Sequence, residues 1–253
     1  MKRLFVLFFA LALTVSLCAC GAPKDSATDA VSATVDTEAI RETFDKATAY
    51  IDSNIDTSDM SMSTQDDSNG ESLYRYWNGS GGKATFGNEI EIAGNTVEIG
   101  KTTVKDLESF DLDVTKTNDT VEPDENAAIE LYKDNKTCIL MTSDNLSGNT
   151  ADIEDMTIGS VSAAFDEYAL PFNYGGLNEK STVSDVVALI GEPNNTVNLS
   201  VDETGAIITL SYSKTAEDAS KTIDDNLSIF LYYDSDSDSA VVKSVQLNRS
   251  ITE

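Results

Sequence analysis

From Leu73 to about residue 250, apolar residues recur at alternate positions in run after run, and a period of two commits this part of the chain to β-sheet. Leu73-Tyr74-Arg75-Tyr76-Trp77 opens the series, and Asn78-Gly79-Ser80-Gly81-Gly82 turns the chain after it. Further strands are expected at Thr85 to Ile92, Val97 to Gly100, Ala127 to Lys133, Thr137 to Thr142, Ile153 to Ala163, Thr196 to Val201, Ala206 to Ser213, Leu227 to Asp234 and Ala240 to Asn248.

Two stretches echo each other across this region. Lys101-Thr102-Thr103-Val104-Lys105-Asp106-Leu107 returns as Lys180-Ser181-Thr182-Val183-Ser184-Asp185-Val186. Ile129-Glu130-Leu131-Tyr132-Lys133-Asp134 returns, in the same order along the chain, as Ile229-Phe230-Leu231-Tyr232-Tyr233-Asp234. Thr103 and Thr182 each have Asp three residues on, a capping-box spacing that predicts short helices over Val104 to Phe110 and Val183 to Ile190, the second ended by Gly191 and Pro193. Each unit then reads as a short helix followed by antiparallel strands. The expected class is α+β, with two tandem helix-plus-sheet units at 73–165 and 166–253.

The N-terminal third reads differently. Thr37 to Ile51 places Ile40, Phe44, Ala47 and Ile51 on one stripe with Thr37 as cap, which predicts an amphipathic helix over 37–52. The Ser- and Asp-rich stretch 53–72 is expected to be a flexible linker, and 20–36, poor in apolar residues, a tether. Ahead of it, Lys2 and Arg3 precede an uncharged apolar run from Leu4 to Leu17, the layout of a secretory signal and too short for a spanning helix.

Leu17-Cys18-Ala19-Cys20-Gly21 resembles the bacterial lipobox, which implies a signal peptide at 1–19, cleavage after Ala19 and a diacylglyceryl lipid on Cys20. Cys18 has Leu17 before it, where that pathway wants a small side chain, so Cys20 is the residue that fits. Two acyl chains give stable anchoring. The resemblance implies a lipid-anchored protein on the extracytoplasmic face of the cell membrane, as on a Gram-positive surface. The segment Lys180 to Asn195, worded Thr-Val-x-Asp-Val-x-x-Leu-Ile-Gly-x-Pro, is similar to the helix of the small outer-membrane lipoprotein and beta-lactamase-inhibitor-protein-like folds. Both families bind proteins without doing chemistry, so this likeness implies a binding module.

Composition narrows the chemistry. The chain has no histidine, which removes Ser-His-Asp and Cys-His catalysis and every His-based metal site. With 44 acidic against 17 basic residues and a net charge of −27, nucleic acid is repelled, and a cationic protein, peptide or envelope component is the partner that charge favours. Cys138, inside the apolar run Thr137 to Met141, reads as a small buried hydrophobe. Asp234, Asp236 and Asp238 alternate like the first half of a calcium loop. Position 6 is Ser239 instead of Gly and position 12 is Val245 instead of Glu, so a solvated turn is the better reading. Tyr74, Tyr76 and Trp77 are candidate stacking residues for a ligand or, as strand aromatics, core.

These readings converge on a non-catalytic envelope-binding lipoprotein that needs no cofactor beyond its lipid. A hydrolase of cell-wall or glycan substrates using paired carboxylates is the competing expectation, and a calcium-dependent adhesin or sensor the third.

Overall fold

The computed structural model of the chain describes residues 35–66, 71–79, 84–218 and 221–252. The expected signal peptide, the Ala19–Cys20 junction, the tether up to residue 34 and the Ser80-Gly81-Gly82 turn lie outside the described residues. From Val35 onward the chain forms one compact unit.

That unit begins with helix α1 (Thr37–Asn54), then strands β1 (Ser61–Asp66), β2 (Leu73–Asn78), β3 (Glu89–Ile92) and β4 (Asn95–Glu98). Next come the single-turn helix α2 (Val104–Leu107), β5 (Asp113–Lys116), β6 (Thr120–Val121), β7 (Ala128–Lys133), β8 (Lys136–Thr142), β9 (Ala151–Asp152) and β10 (Ile158–Ala164). The chain closes with β11 (Phe172–Asn173), helix α3 (Val183–Ile190), β12 (Thr196–Asp202), β13 (Gly205–Asp218), β14 (Lys221–Asp234) and β15 (Ser239–Thr252).

Ten strands form a single antiparallel sheet in the order β1-β2-β12-β13-β14-β15-β10-β8-β7-β5. This overturns the expected α+β class with its two tandem units: the chain is 49% strand and 16% helix, and one large sheet dominates it. The reason lies at the sheet edges. β10 and β15 pair with each other, Ser160 opposite Asn248 through Ala164 opposite Ser244. β2 reaches across the sequence to pair with β12, Trp77 opposite Val197 and Leu73 opposite Val201. Each join consumes main-chain donors and acceptors that a free-standing unit would leave exposed.

Helix starts follow side-chain chemistry. Both expected capping boxes form, Thr103 with Asp106 and Thr182 with Asp185, and in each the Asp carboxylate accepts the cap residue's N–H at 2.8 Å. The two cap threonines also bridge to strands, Thr103 to Thr157 just ahead of β10 and Thr182 to Val241 in β15. α2 stops at Leu107, short of Phe110, because the next amides bond three residues back and the Ser109 hydroxyl donates to the Asp106 carbonyl at 2.7 Å. Helix α1 is capped by Asp36, one residue before the expected Thr37, since its Oδ1 accepts the N–H groups of Glu38 and Ala39 at 3.2 and 3.1 Å.

One face of the large sheet carries the core. Val197, Leu199, Val201, Ala206, Ile208, Leu210, Tyr212, Leu227, Ile229 and Leu231 alternate along β12 to β14 and are all buried. Ile40, Phe44, Ala47 and Ile51 of α1 and Val183, Val186 and Ile190 of α3 pack into the same core. Full burial of an aliphatic side chain this size contributes about 1.5–3 kcal/mol. At the far end of the long strands sits an ion network. Arg249 donates from Nε and a terminal nitrogen to the two oxygens of Asp225 at 2.6 and 3.1 Å, and Asn88 donates to Asp225 Oδ2 at 2.8 Å. Lys214 donates to Asn88 Oδ1 at 2.8 Å and to the Phe86 carbonyl at 2.9 Å, tying the segment before β3 to the core side of the sheet.

Candidate binding face

Among the described residues, α1 and α3 both pack on the core face of the sheet and no helix lies on the opposite one. Because neighbouring residues in a strand point to opposite sides, the buried set along β12 to β15 defines an outward set with no buried member. The pairing registers arrange these outward residues in rows. One row runs Ser63, Tyr76, Asn198, Thr209, Phe230 and Ser244 across six strands. The next runs Gln65, Tyr74, Ser200, Ile207, Tyr232 and Val241. On the other side lie Ser61, Asn78, Thr196, Ser211, Ser228, Gln246 and Ser162.

None of these side chains is charged at neutral pH, in a chain whose net charge is −27. They are serines, threonines, amides, aromatics and the aliphatic Ile207 and Val241, with Ile207 and Tyr232 exposed. The Ser211 and Ser228 hydroxyls approach to 3.5 Å, and the Asn198 amide oxygen is buried with no hydrogen-bond partner. Gly205, at φ +135, leaves room for the Tyr232 ring, which a Cβ there would meet at 2.7 Å. Lys243, at the bulge where β14 and β15 shift register, holds its ammonium 5.9 Å from the Tyr232 ring centre.

Carboxylates stand around this neutral field. Asp202, Glu203, Asp234 and Asp236 lie at one end of the strands, Asp224 at the other, and Glu130 and Asp113 toward β5. Within the 234–239 turn the carboxylates are occupied locally. Asp234 accepts the Asp236 N–H at 3.0 Å and the Ser237 hydroxyl at 2.8 Å, which hold it below its ordinary value. Asp238 accepts the Tyr233 hydroxyl at 2.7 Å. Among the described residues no group of three His, Cys, Asp or Glu side chains is arranged to hold a metal ion.

The aromatic cluster of β2 is divided between the two faces. Tyr74 and Tyr76 point outward, whereas Trp77 is 2% exposed in the core, with the Arg75 guanidinium 4.8 Å from the Phe44 ring centre and 5.9 Å from that of Trp77. The three therefore form no common stacking platform. Phe230, Tyr232 and Ile207 join Tyr74 and Tyr76 instead, and the signal for them was present in the sequence: Asn226, Ser228, Phe230 and Tyr232 are the uncharged alternate set of a strand in an acidic chain. Cys138 is buried in β8, where burial pushes its thiol up to about 12 and leaves no reactive thiolate at neutral pH. Cys20 and Ala19 lie outside the described residues.

No protein family, no curated protein and no solved structure matches this chain.

Proposed function

We propose that the chain is a membrane-tethered, non-catalytic binding module that recognises another protein through the open face of its large sheet. The observation that carries this reading is the neutral, aromatic-bearing field ringed by carboxylates. Protein-binding surfaces deplete charge at their centre and keep it at the rim. Tyrosines with serines and asparagines are also the composition of antibody-like paratopes, where rigid rings give contact area and short polar groups adapt their hydrogen bonds. A partner with a neutral contact patch and a basic rim fits both parts, and the acidic rim steers its approach in a salt-dependent way.

The signal-like N-terminus and the lipobox at Cys20 support attachment to the outer face of the cell membrane, with the lipid as the only added group. The test is crosslinking in intact cells with three chains: the unaltered protein, Thr209→Arg in the centre of the face, and Cys20→Ala. The expected result is one envelope protein captured by the first, lost with Thr209→Arg while circular dichroism is unchanged, and Cys20→Ala released from membranes or left unprocessed. Capture of a glycan that is shortened on incubation would instead favour the hydrolase, and capture unaffected by Thr209→Arg would remove the face from the account.

A further inference from the structure

Among the described residues the sheet ends on one side at β1, which pairs there only with β2, Ser61 opposite Asn78 through Asp66 opposite Leu73. All six of its side chains are exposed. In an antiparallel pair, alternate residues turn their N–H and C=O groups away from the partner, so the outer side of β1 presents a row of unpaired main-chain donors and acceptors. Such edges are ordinarily blunted by lysine, proline, a bulge or extreme shortness. From Ser61 to Gln65 there is no charge, proline or glycine, and the pairing with β2 runs without a register shift. The opposite edge, β5, has four residues and carries Asp113 and Lys116.

Charge is placed at the ends of the β1 edge. Asp56 and Asp59 precede it, Asp66 closes it, and no lysine or arginine occurs between residues 55 and 66. A strand laid along this edge meets a neutral centre and carboxylates at both ends. A second copy of this chain is disfavoured there, since edge-to-edge pairing sets the carboxylates of one copy against those of the other. The side-chain pattern adds a preference. Met62 is 61% exposed on the side of the sheet that holds α1, and Ser63 and Gln65 project on the other, so the added strand places apolar residues next to Met62 and polar ones next to Ser63 and Gln65.

We propose that the β1 edge is a docking site for an extended peptide segment of a partner, bound by strand addition, with alternating apolar and polar residues at its centre and basic residues at both ends. This site uses main-chain groups at the sheet's edge and is independent of the open-face reading.

The test is fluorescence anisotropy of the full chain with labelled peptide KKTVTVTKK, against EETVTVTEE and two versions of the first peptide methylated on one or the other set of alternate backbone nitrogens. Strand addition predicts saturable binding of the lysine-ended peptide, at least tenfold weaker binding of the glutamate-ended one, and loss of binding for one methylated version and not the other. An Asp59→Asn/Asp66→Asn double variant weakens the lysine-ended peptide in the same direction. Absence of binding, equal binding of both methylated versions, or equal binding of lysine- and glutamate-ended peptides overturns the proposal. So does a sedimentation result in which β1 is already occupied by a second copy.

Discussion

Asp225 is the most constrained charge among the described residues, 7% exposed and facing Arg249, Asn88 and Lys214 together. Burial alone would push its carboxyl up, but the hydrogen bonds from Arg249 and Asn88 and the charges of Arg249 and Lys214 outweigh this and hold it below its ordinary value. A carboxyl depressed in the folded state contributes stability that is fully present above the unfolded value, about pH 4, and is lost as pH falls through the lower folded value. Asp225→Asn removes the carboxylate that Arg249 and Lys214 share, which costs about 3 kcal/mol in urea unfolding at pH 7. Between pH 5 and about pH 2 the stability of the unaltered protein should fall more steeply than that of the variant; parallel curves would mean that the network contributes nothing through ionisation. Gly100 belongs to the same arrangement, because at φ +81 it has no Cβ to collide with the Arg249 guanidinium packed against it.

The elements legible from sequence were those whose signal is local. Val183–Ile190 forms over the residues that its box and its Gly191 end imply, and Thr182→Ala should lower stability by about 1 kcal/mol, measured by thermal or urea unfolding. No change would mean that the bridge from Thr182 to Val241 and the packing of Val183, Val186 and Ile190 hold the helix without its cap. The centres of β12 to β15 were readable, since one buried face imposes period two on residues such as Leu227, Ile229, Leu231 and Tyr233, but the polar ends of β13, β14 and β15, to Asp218, from Lys221 and to Thr252, were not. β1 was not. Ser-Met-Ser-Thr-Gln-Asp has no apolar alternation, and it is a strand because the neighbouring β2 offers it an unpaired edge, which its own side-chain pattern does not encode. The candidate binding face was half legible for the same reason. Tyr74 and Tyr76 could be picked out as aromatics, but their separation from Trp77 and their alignment with Phe230 and Tyr232 depend on which face each strand buries.

At the scale of the molecule, the expected pair of units is replaced by one sheet because β10–β15 and β2–β12 join segments far apart in the chain. The echoed stretches carry no information about those joins; a repeat specifies its own strands and not which of them will meet. Shared hydrogen-bonded edges and a shared core predict cooperative loss of structure. Calorimetry on the lipid-free protein should give one transition whose calorimetric and van't Hoff enthalpies agree, and two resolved transitions would restore the picture of independent units.

The long joins also set an order of events in time. β13, β14 and β15 are successive hairpins and can close within microseconds of becoming available, but α1 and β2 are made early and must wait for β12 and β13 before the core around Phe44, Ile51 and Trp77 is covered. A chain delivered from its N-terminus therefore passes through an interval with uncovered apolar surface, when association with neighbouring chains competes with folding. A net charge of −27 keeps such chains apart during that interval, so the acidity that stands around the open face of the finished sheet also acts before that sheet exists.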